Sequence, residues 1–323
     1  MKKSNLRRIG ILILAVCLVA SFSITYAASF PSREIKIIVP WSPGGGTDIM
    51  IRQLQPILKS KYGVNTVIVN KEGGNSAVGL TELITAKPDG YTVAIASSTI
   101  LGLMGQKQIK WGIDKFTNIA LLSEDPMLLL VKGNSKWRDL NDFMADVQKN
   151  PGKITFGTSG SRNVNHAMGI LAGESVKSEL RHVPFNGGAP TIAAVMGGHI
   201  DACVLKPSET VSQVKSGELR ALGVFRSTRL AALPNVPTFK EKGYEVYPYG
   251  PVDQVSFFVA PAGIKKSVRD ELTRIFSGVA KTPEFQEFAA KAGFVSEPIT
   301  GKELDNYVKG LTGALTTVSE KVF

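Results

Sequence analysis

Short apolar, β-branched runs recur along the chain at residues 35–39, 66–69, 92–96, 154–156, 182–184, 200–205, 219–224 and 255–260, with amphipathic stretches between them. In residues 137–149, Leu140, Phe143, Met144 and Val147 fall on one face, the spacing of a helix that buries one side. Ser267-Val-Arg-Asp270 and Thr300-Gly-Lys-Glu303 are spaced as capping boxes and predict two late helix starts. Pro56, inside the helical pattern of residues 49–59, predicts a kink or an early end because it has no N–H to donate. Strands alternating with helices imply an α/β fold with parallel sheets covered on both faces.

The strand-helix units fall into two groups separated near residues 121–131, and the strand at 255–260 follows a Pro- and Tyr-rich loop and leads into a helical tail. That order predicts two lobes joined by two crossing strands, hence a hinge and a cleft. The expected boundaries are residues 28–127 with 253–323 for the first, discontinuous lobe and 128–252 for the second.

The N-terminus changes the compartment. Lys2, Lys3, Arg7 and Arg8 precede an apolar run, and small residues end at Thr25-Tyr26-Ala27, the layout of a secretory signal peptide over residues 1–27 with cleavage near Ala27 and a periplasmic product. An N-terminal membrane anchor is the rival reading, disfavoured because Ser21 and Ser23 dilute a span that needs roughly 20 apolar residues. A lipoprotein through Cys17 is a third, with Val16 where a small residue is wanted. Removing residues 1–27 lowers the formal charge from +11 to +7. Such a balance favours anionic ligands through the long-range field, while the lysines, scattered rather than clustered with aromatics, give no support to nucleic-acid binding. Without Cys17, Cys203 stands alone, so no internal disulfide forms; in its apolar run it is expected as a buried, inert thiol.

The most unusual stretch is Val39-Pro-Trp-Ser-Pro-Gly-Gly-Gly-Thr-Asp-Ile-Met50. It is a strand-to-helix turn at the carboxyl edge of a predicted parallel sheet, where open α/β sheets bind ligands. Glycines let successive N–H groups approach a guest, and a helix N-terminus adds partial positive charge, so the expected guest is an anion. The candidate residues are Trp41, Ser42, Gly44, Gly45, Gly46, Thr47 and Asp48; Thr47 and Asp48 as plain helix caps are the alternative. A P-loop would need Lys-Ser or Lys-Thr where Thr47-Asp48 stands, and a dinucleotide fingerprint would need glycine where Ile49 stands.

A second such turn lies in Ile154-Thr-Phe-Gly-Thr-Ser-Gly-Ser-Arg-Asn-Val-Asn-His166, contributing Thr158, Ser159, Arg162, Asn163 and His166. Its Gly157-Thr-Ser-Gly160 misses the nucleophile elbow by having Ser161 at the last position. An exported hydrolase using Ser159 and His166 remains the alternative function, although nothing orders the three histidines into a triad. Ser97 and Ser98 after one strand, and Asn186 with Gly187-Gly188 after another, add polar strand ends. No spacing suits a metal site, and no cofactor is expected.

Several blocks in fixed order resemble the exported solute receptors of tripartite tricarboxylate transporters, the Bug-type receptors. They are Ile38-Val-Pro-Trp-Ser-Pro-Gly-Gly-Gly-Thr-Asp48, Lys87-Pro-Asp-Gly-Tyr-Thr92, His182-Val-Pro-Phe-Asn-Gly-Gly-Ala-Pro190, Gly197-Gly-His-Ile-Asp201, Asn235-Val-Pro-Thr-Phe239 and Ala260-Pro-Ala-Gly263. The resemblance covers nearly all of the chain after residue 27. It implies a two-lobed Venus-flytrap fold of the type II periplasmic-binding kind, a monomer that closes on a small carboxylate and delivers it to membrane permease subunits. It also implies that residues 42–48 and 158–166 grip one carboxylate, partly through water, and that Asp201 faces the cleft. The chain departs from the family in placing Arg162 at a usual glycine, with Asn163-Val164 where hydroxyls are expected. It departs again in the loop Asn70-Lys-Glu-Gly-Gly-Asn-Ser76, and at Val255-Ser-Phe257 where Trp-Tyr-Gly is common. Arg162 is a candidate for a charge-assisted contact that the usual turn cannot make.

Overall fold

The computed structural model describes residues 30–323 apart from 251 and 253, so the signal-peptide reading of residues 1–27 and Cys17 lie outside the described residues. Arg33–Phe323 form one compact unit. Ten strands build two sheets. The first takes β1 (Ile35–Val39), β2 (Thr66–Asn70), β3 (Thr92–Ser97), β4 (Phe116–Glu124) and β10 (Val255–Pro261) in the order β2-β1-β3-β10-β4; the second takes β5 (Met127–Lys132), β6 (Thr155–Ser159), β7 (Arg181–Phe185), β8 (Ala202–Leu205) and β9 (Leu219–Phe225) in the order β7-β6-β8-β5-β9.

The two orders are one pattern used twice. In each sheet three strands run parallel, β2-β1-β3 and β7-β6-β8. The fourth strand arrives from across the molecule and pairs antiparallel on both sides: β10 between β3 and β4, β5 between β8 and β9. The sheets are therefore mixed rather than parallel throughout. The two crossings touch, because the Asp125 N–H donates to the Gln254 carbonyl at 2.7 Å.

Among the described residues ten helices follow the strands: α1 (Gly46–Tyr62), α2 (Ala77–Thr85), α3 (Ser98–Gly105), α4 (Leu140–Lys149), α5 (Val164–Glu174), α6 (Gly188–Gly197), α7 (Pro207–Ser216), α8 (Lys266–Ala280), α9 (Pro283–Ala292) and α10 (Gly301–Val322). Each connects or covers strands by an apolar face. In α1, Met50, Ile51, Leu54, Ile57 and Leu58 are buried, each contributing about 1.5–3 kcal/mol of burial. That face explains why Pro56 does not end the helix: α1 continues past it to Tyr62 and closes on left-handed Gly63. Ser267 does not cap either; α8 starts one residue earlier, with Lys265 as its cap. Thr300 is the cap of α10, without a side-chain cap bond.

Burial follows position in the sheet. Ile35, Ile37, Ile38 and Val39 of central β1 are fully buried, as strands covered on both faces require. Edge strand β7 exposes Arg181 and carries Pro184, which an edge tolerates because it needs no ladder donor there. Cys203 is buried in β8, and burial pushes its thiol well above the ordinary range, so it is inert. The main apolar cluster is continuous from β1 and β3 through α3 and α10 to β5, β6 and α5. The two sheet-centred halves thus share core as well as crossings.

Candidate functional site

The turn between β1 and α1 is built around Asp48. Its side chain is almost wholly buried and accepts from the Gly44 N–H at 2.8 Å, Arg52 Nε at 2.8 Å and Asn70 Nδ2 at 3.0 Å. Burial alone would raise its pKa; the Arg52 guanidinium, the Gly44 N–H and the Asn70 amide outweigh it and hold the carboxyl below its ordinary value. Asn70 also donates to the Trp41 carbonyl at 3.0 Å, and the Ser42 hydroxyl is turned to Glu72. Asp48 therefore shapes the loop. Gly45 caps α1 without a side-chain bond, and among the described residues the N–H groups of Gly46, Thr47 and Asp48 meet no protein acceptor, the condition for holding an anion.

The turn between β6 and α5 is engaged with itself. Thr158 Oγ1 bonds the Gly160 carbonyl at 2.5 Å and His182 Nε2 at 2.7 Å. Asn163 accepts from the His166 N–H at 3.1 Å, capping α5, and donates to the Ser159 carbonyl at 3.0 Å. The Arg162 N–H donates to His166 Nδ1 at 3.1 Å. His166 and His182 stack with ring centroids 3.5 Å apart, beside Phe156 and Phe323. Burial lowers both imidazoles to about 4, helped at His166 by His182 and Arg162 and opposed at His182 by the Gly160 backbone. Arg162 is exposed, with φ +53°. Its carbonyl accepts from Gln106 Nε2 at 3.0 Å, and Gln106 also donates to Ser319 at 3.1 Å. Gly160 lies beside Asn75, whose amide oxygen would be 3.4 Å from a Cβ at Gly160. This turn fastens one half to the other.

The other expected residues divide. Ser97 caps α3 by accepting from the Thr99 N–H, and Ser98 accepts from the Val255 N–H at 2.9 Å, tying α3 to a crossing strand. Asn186 is exposed at the carboxyl end of β7. Asp201 corrects the sequence expectation: it precedes β8 at the amino-terminal edge, where Oδ2 accepts from Thr155 N at 2.8 Å and Thr155 Oγ1 at 2.7 Å. The carboxyl ends of those parallel strands, the edge at which open α/β sheets bind ligands, lie at the opposite side of the sheet.

What the sequence reading missed sits at that opposite end. Lys206 follows β8 and is the cap residue of α7, a position where a helix dipole disfavours a cation. Its Nζ would be 3.6 Å from a Cβ at Gly46, and Ser208 Oγ and Glu209 Cγ would be 3.4 Å from it. The Glu209 carboxyl carbon would in turn be 2.9 Å from a Cβ at Gly188, so Glu209 lies between a glycine turn of each half. Burial opposes the Lys206 charge, but the carboxylates of Glu209 and Asp125 overcome it and hold the ammonium above its ordinary pKa. A cavity of about 50 Å³ adjoins Gly46, Asp125, Lys206 and Ser208. The available signal was local: a lysine where a helix start prefers an acceptor or an anion. Among the described residues no cluster of His, Cys, Asp and Glu could hold a metal ion, and no helix is long and apolar enough to cross a membrane.

Two sheets of one order, linked by two adjoining crossings, define a two-lobed periplasmic-binding fold. The solved structure of a periplasmic transporter matches with a TM-score of 0.83 at 28% identity, over 91% of this chain and 98% of that one. The periplasmic binding protein BugD matches with a TM-score of 0.79 at 26% identity, over 90% and 98%. A UPF0065 protein of Bordetella pertussis (strain Tohama I) is 30% identical over 296 residues, 90% of this chain and 88% of that protein. Residues 50–309 match the model of the tripartite tricarboxylate transporter family receptor, and the chain belongs to that family.

Proposed function

We propose that the protein is an exported, periplasmic solute receptor, its signal peptide removed near Ala27, that binds a small carboxylate between its lobes. The ligand class spans di- and tricarboxylates, amino acids and aromatic acids, and its destination is the permease subunits of a tripartite tricarboxylate-type transporter. The observation that carries this reading is the meeting of two positive features at one point: the unpartnered N–H groups at the start of α1 and the Lys206 ammonium beside Gly46. One belongs to each half, and an anion between them is attracted by both. A cavity of about 50 Å³ holds a few waters rather than a small acid. Binding therefore requires the lobes, residues 28–127 with 253–323 against 128–252, to part and close about the crossings at Asp125-Pro126 and before Val255.

The hydrolase alternative has less support. His166 Nδ1 takes the Arg162 N–H and its ring lies flat on His182, leaving no hydrogen bond from Ser159 to that imidazole among the described residues.

Thermal-shift and calorimetric screening of these acids tests the reading. A ligand at about a hundred times its Kd adds about 2.7 kcal/mol to the native state, a Tm rise of several degrees. A panel in which no carboxylate stabilises the protein would falsify it.

A further inference from the structure

We infer that the acid taken by this site is a zwitterionic α-amino acid with an apolar side chain, rather than a di- or tricarboxylate; the inference rests on the carboxylate-receptor reading above. It begins with buried oxygens that have no partner. Asp125 is 3% exposed and lines the cavity; its Oδ2 accepts from the Ser123 hydroxyl at 2.9 Å, while its Oδ1 meets no donor. Gln254, whose carbonyl takes the Asp125 N–H, is 8% exposed and buries Oε1 without a partner. Glu209 Oε2 is a third. All three are acceptors, and buried acceptors call for donors.

Charge points the same way. Lys206 offers one positive group against the carboxylates of Asp125 and Glu209, so the three carry a formal charge of −1. Once a ligand carboxylate has met Lys206 and the start of α1, a second ligand carboxylate would enter a site with a negative excess and no further cation. An ammonium beside the first carboxylate supplies donors for Asp125 Oδ1 and Glu209 Oε2 and brings the total charge back from −2 to −1. A hydroxyl would supply a donor without that compensation. The rest of the cavity is an apolar wall of Ile49, Met50, Phe288 and Phe294, against which a charged side chain would be desolvated without return.

Calorimetry on matched pairs isolates the ammonium: L-leucine against isocaproate and L-valine against isovalerate, with succinate, L-malate and citrate alongside. The amino acids should bind at least about tenfold tighter than their deamino partners and than the polycarboxylates, the factor one charge-assisted hydrogen bond supplies. Glu209→Gln, which keeps shape and acceptor but removes charge, should cut that preference several-fold, and Asp125→Asn should cut it further. Because Asp125 is buried, Glu209→Gln decides the matter if Asp125→Asn fails to fold. If polycarboxylates or deamino acids bind as tightly as leucine and valine, or if Glu209→Gln leaves the preference intact, this inference is overturned while the receptor reading stands. If no acid binds at all, both fall.

Discussion

The two sheets share one strand order and put equivalent turns to opposite uses. After the third parallel strand of the first sheet come Ser97 and Ser98, whose hydroxyls are consumed by the Thr99 and Val255 N–H groups. After the third parallel strand of the second comes Lys206, a cation facing the other half at Gly46. After the middle strands of the two parallel trios the roles reverse: the β1 turn leaves N–H groups free, while the β6 turn closes on itself through Thr158, Asn163 and His166. Topology thus fixes where a turn stands and leaves its chemistry to a few side chains. On the proposed function, each half contributes one turn to holding the structure and one to holding the guest.

The sharpest way to break this comparison is to exchange its polar terms. Lys206→Met should lower carboxylate affinity by about a hundredfold, the worth of a charge-assisted contact in a closed site, and should also lower the melting temperature, because it leaves the buried carboxylates of Asp125 and Glu209 without their cation. Ser98→Ala should act mainly on stability. It strands the buried Val255 N–H and costs about 1–3 kcal/mol of stability, with a smaller loss of binding than Lys206→Met. Denaturant melts and calorimetry on both variants settle it. Equal losses of affinity would mean that the two third-strand turns are not divided between structure and ligand.

The strands of this fold were legible because central β-strands buried on both faces read as continuous apolar runs; the strand predicted at 35–39 is β1. The triple glycine was legible for a similar reason, because three successive glycines fit few needs besides a close backbone approach. Asp48 read as a ligand residue because sequence does not show that Arg52, one helical turn on, and Asn70, at the end of another strand, would claim its oxygens. Asp201 was read at a strand end without the direction of the strand, and the structure places it at the amino-terminal edge beside Thr155. Lys206, Asp125 and Gln254 were missed because their importance arises only when the crossings meet, and the Asp125–Gln254 contact joins residues far apart in the chain.

A second prediction uses the histidine stack, which belongs to the β6 side and has no counterpart beside β1. Both imidazoles are held neutral at about 4, against about 6.5 for an ordinary histidine. The unfolded chain therefore binds protons first on acidification, and native stability is full above about pH 6.5 and is lost as pH falls toward about 4. The full shifts would amount to about 3 kcal/mol for each imidazole, and solvent screening of the half-exposed rings reduces the expected loss for the pair to a few kcal/mol. His182→Phe, which keeps the stack's apolar contacts, should flatten the slope of Tm against pH in that window. An unchanged slope would show that the acid sensitivity comes from carboxylates elsewhere.

The smallest effect tests how the halves are fastened. Gln106 donates from one amide nitrogen to the Arg162 carbonyl in the second half and to Ser319 in the first, so it holds the two together by backbone rather than by the Arg162 charge. Gln106→Ala should remove about 0.5–1.5 kcal/mol from the closed arrangement, shifting the balance toward open by about two- to tenfold. Affinity should fall by no more than that factor, because the ligand itself favours closure. Small-angle scattering should show a larger radius of gyration that saturating ligand restores. Arg162→Ala keeps the carbonyl and should leave the scattering unchanged; if it instead opens the molecule as Gln106→Ala does, the guanidinium rather than the turn's backbone is the fastening.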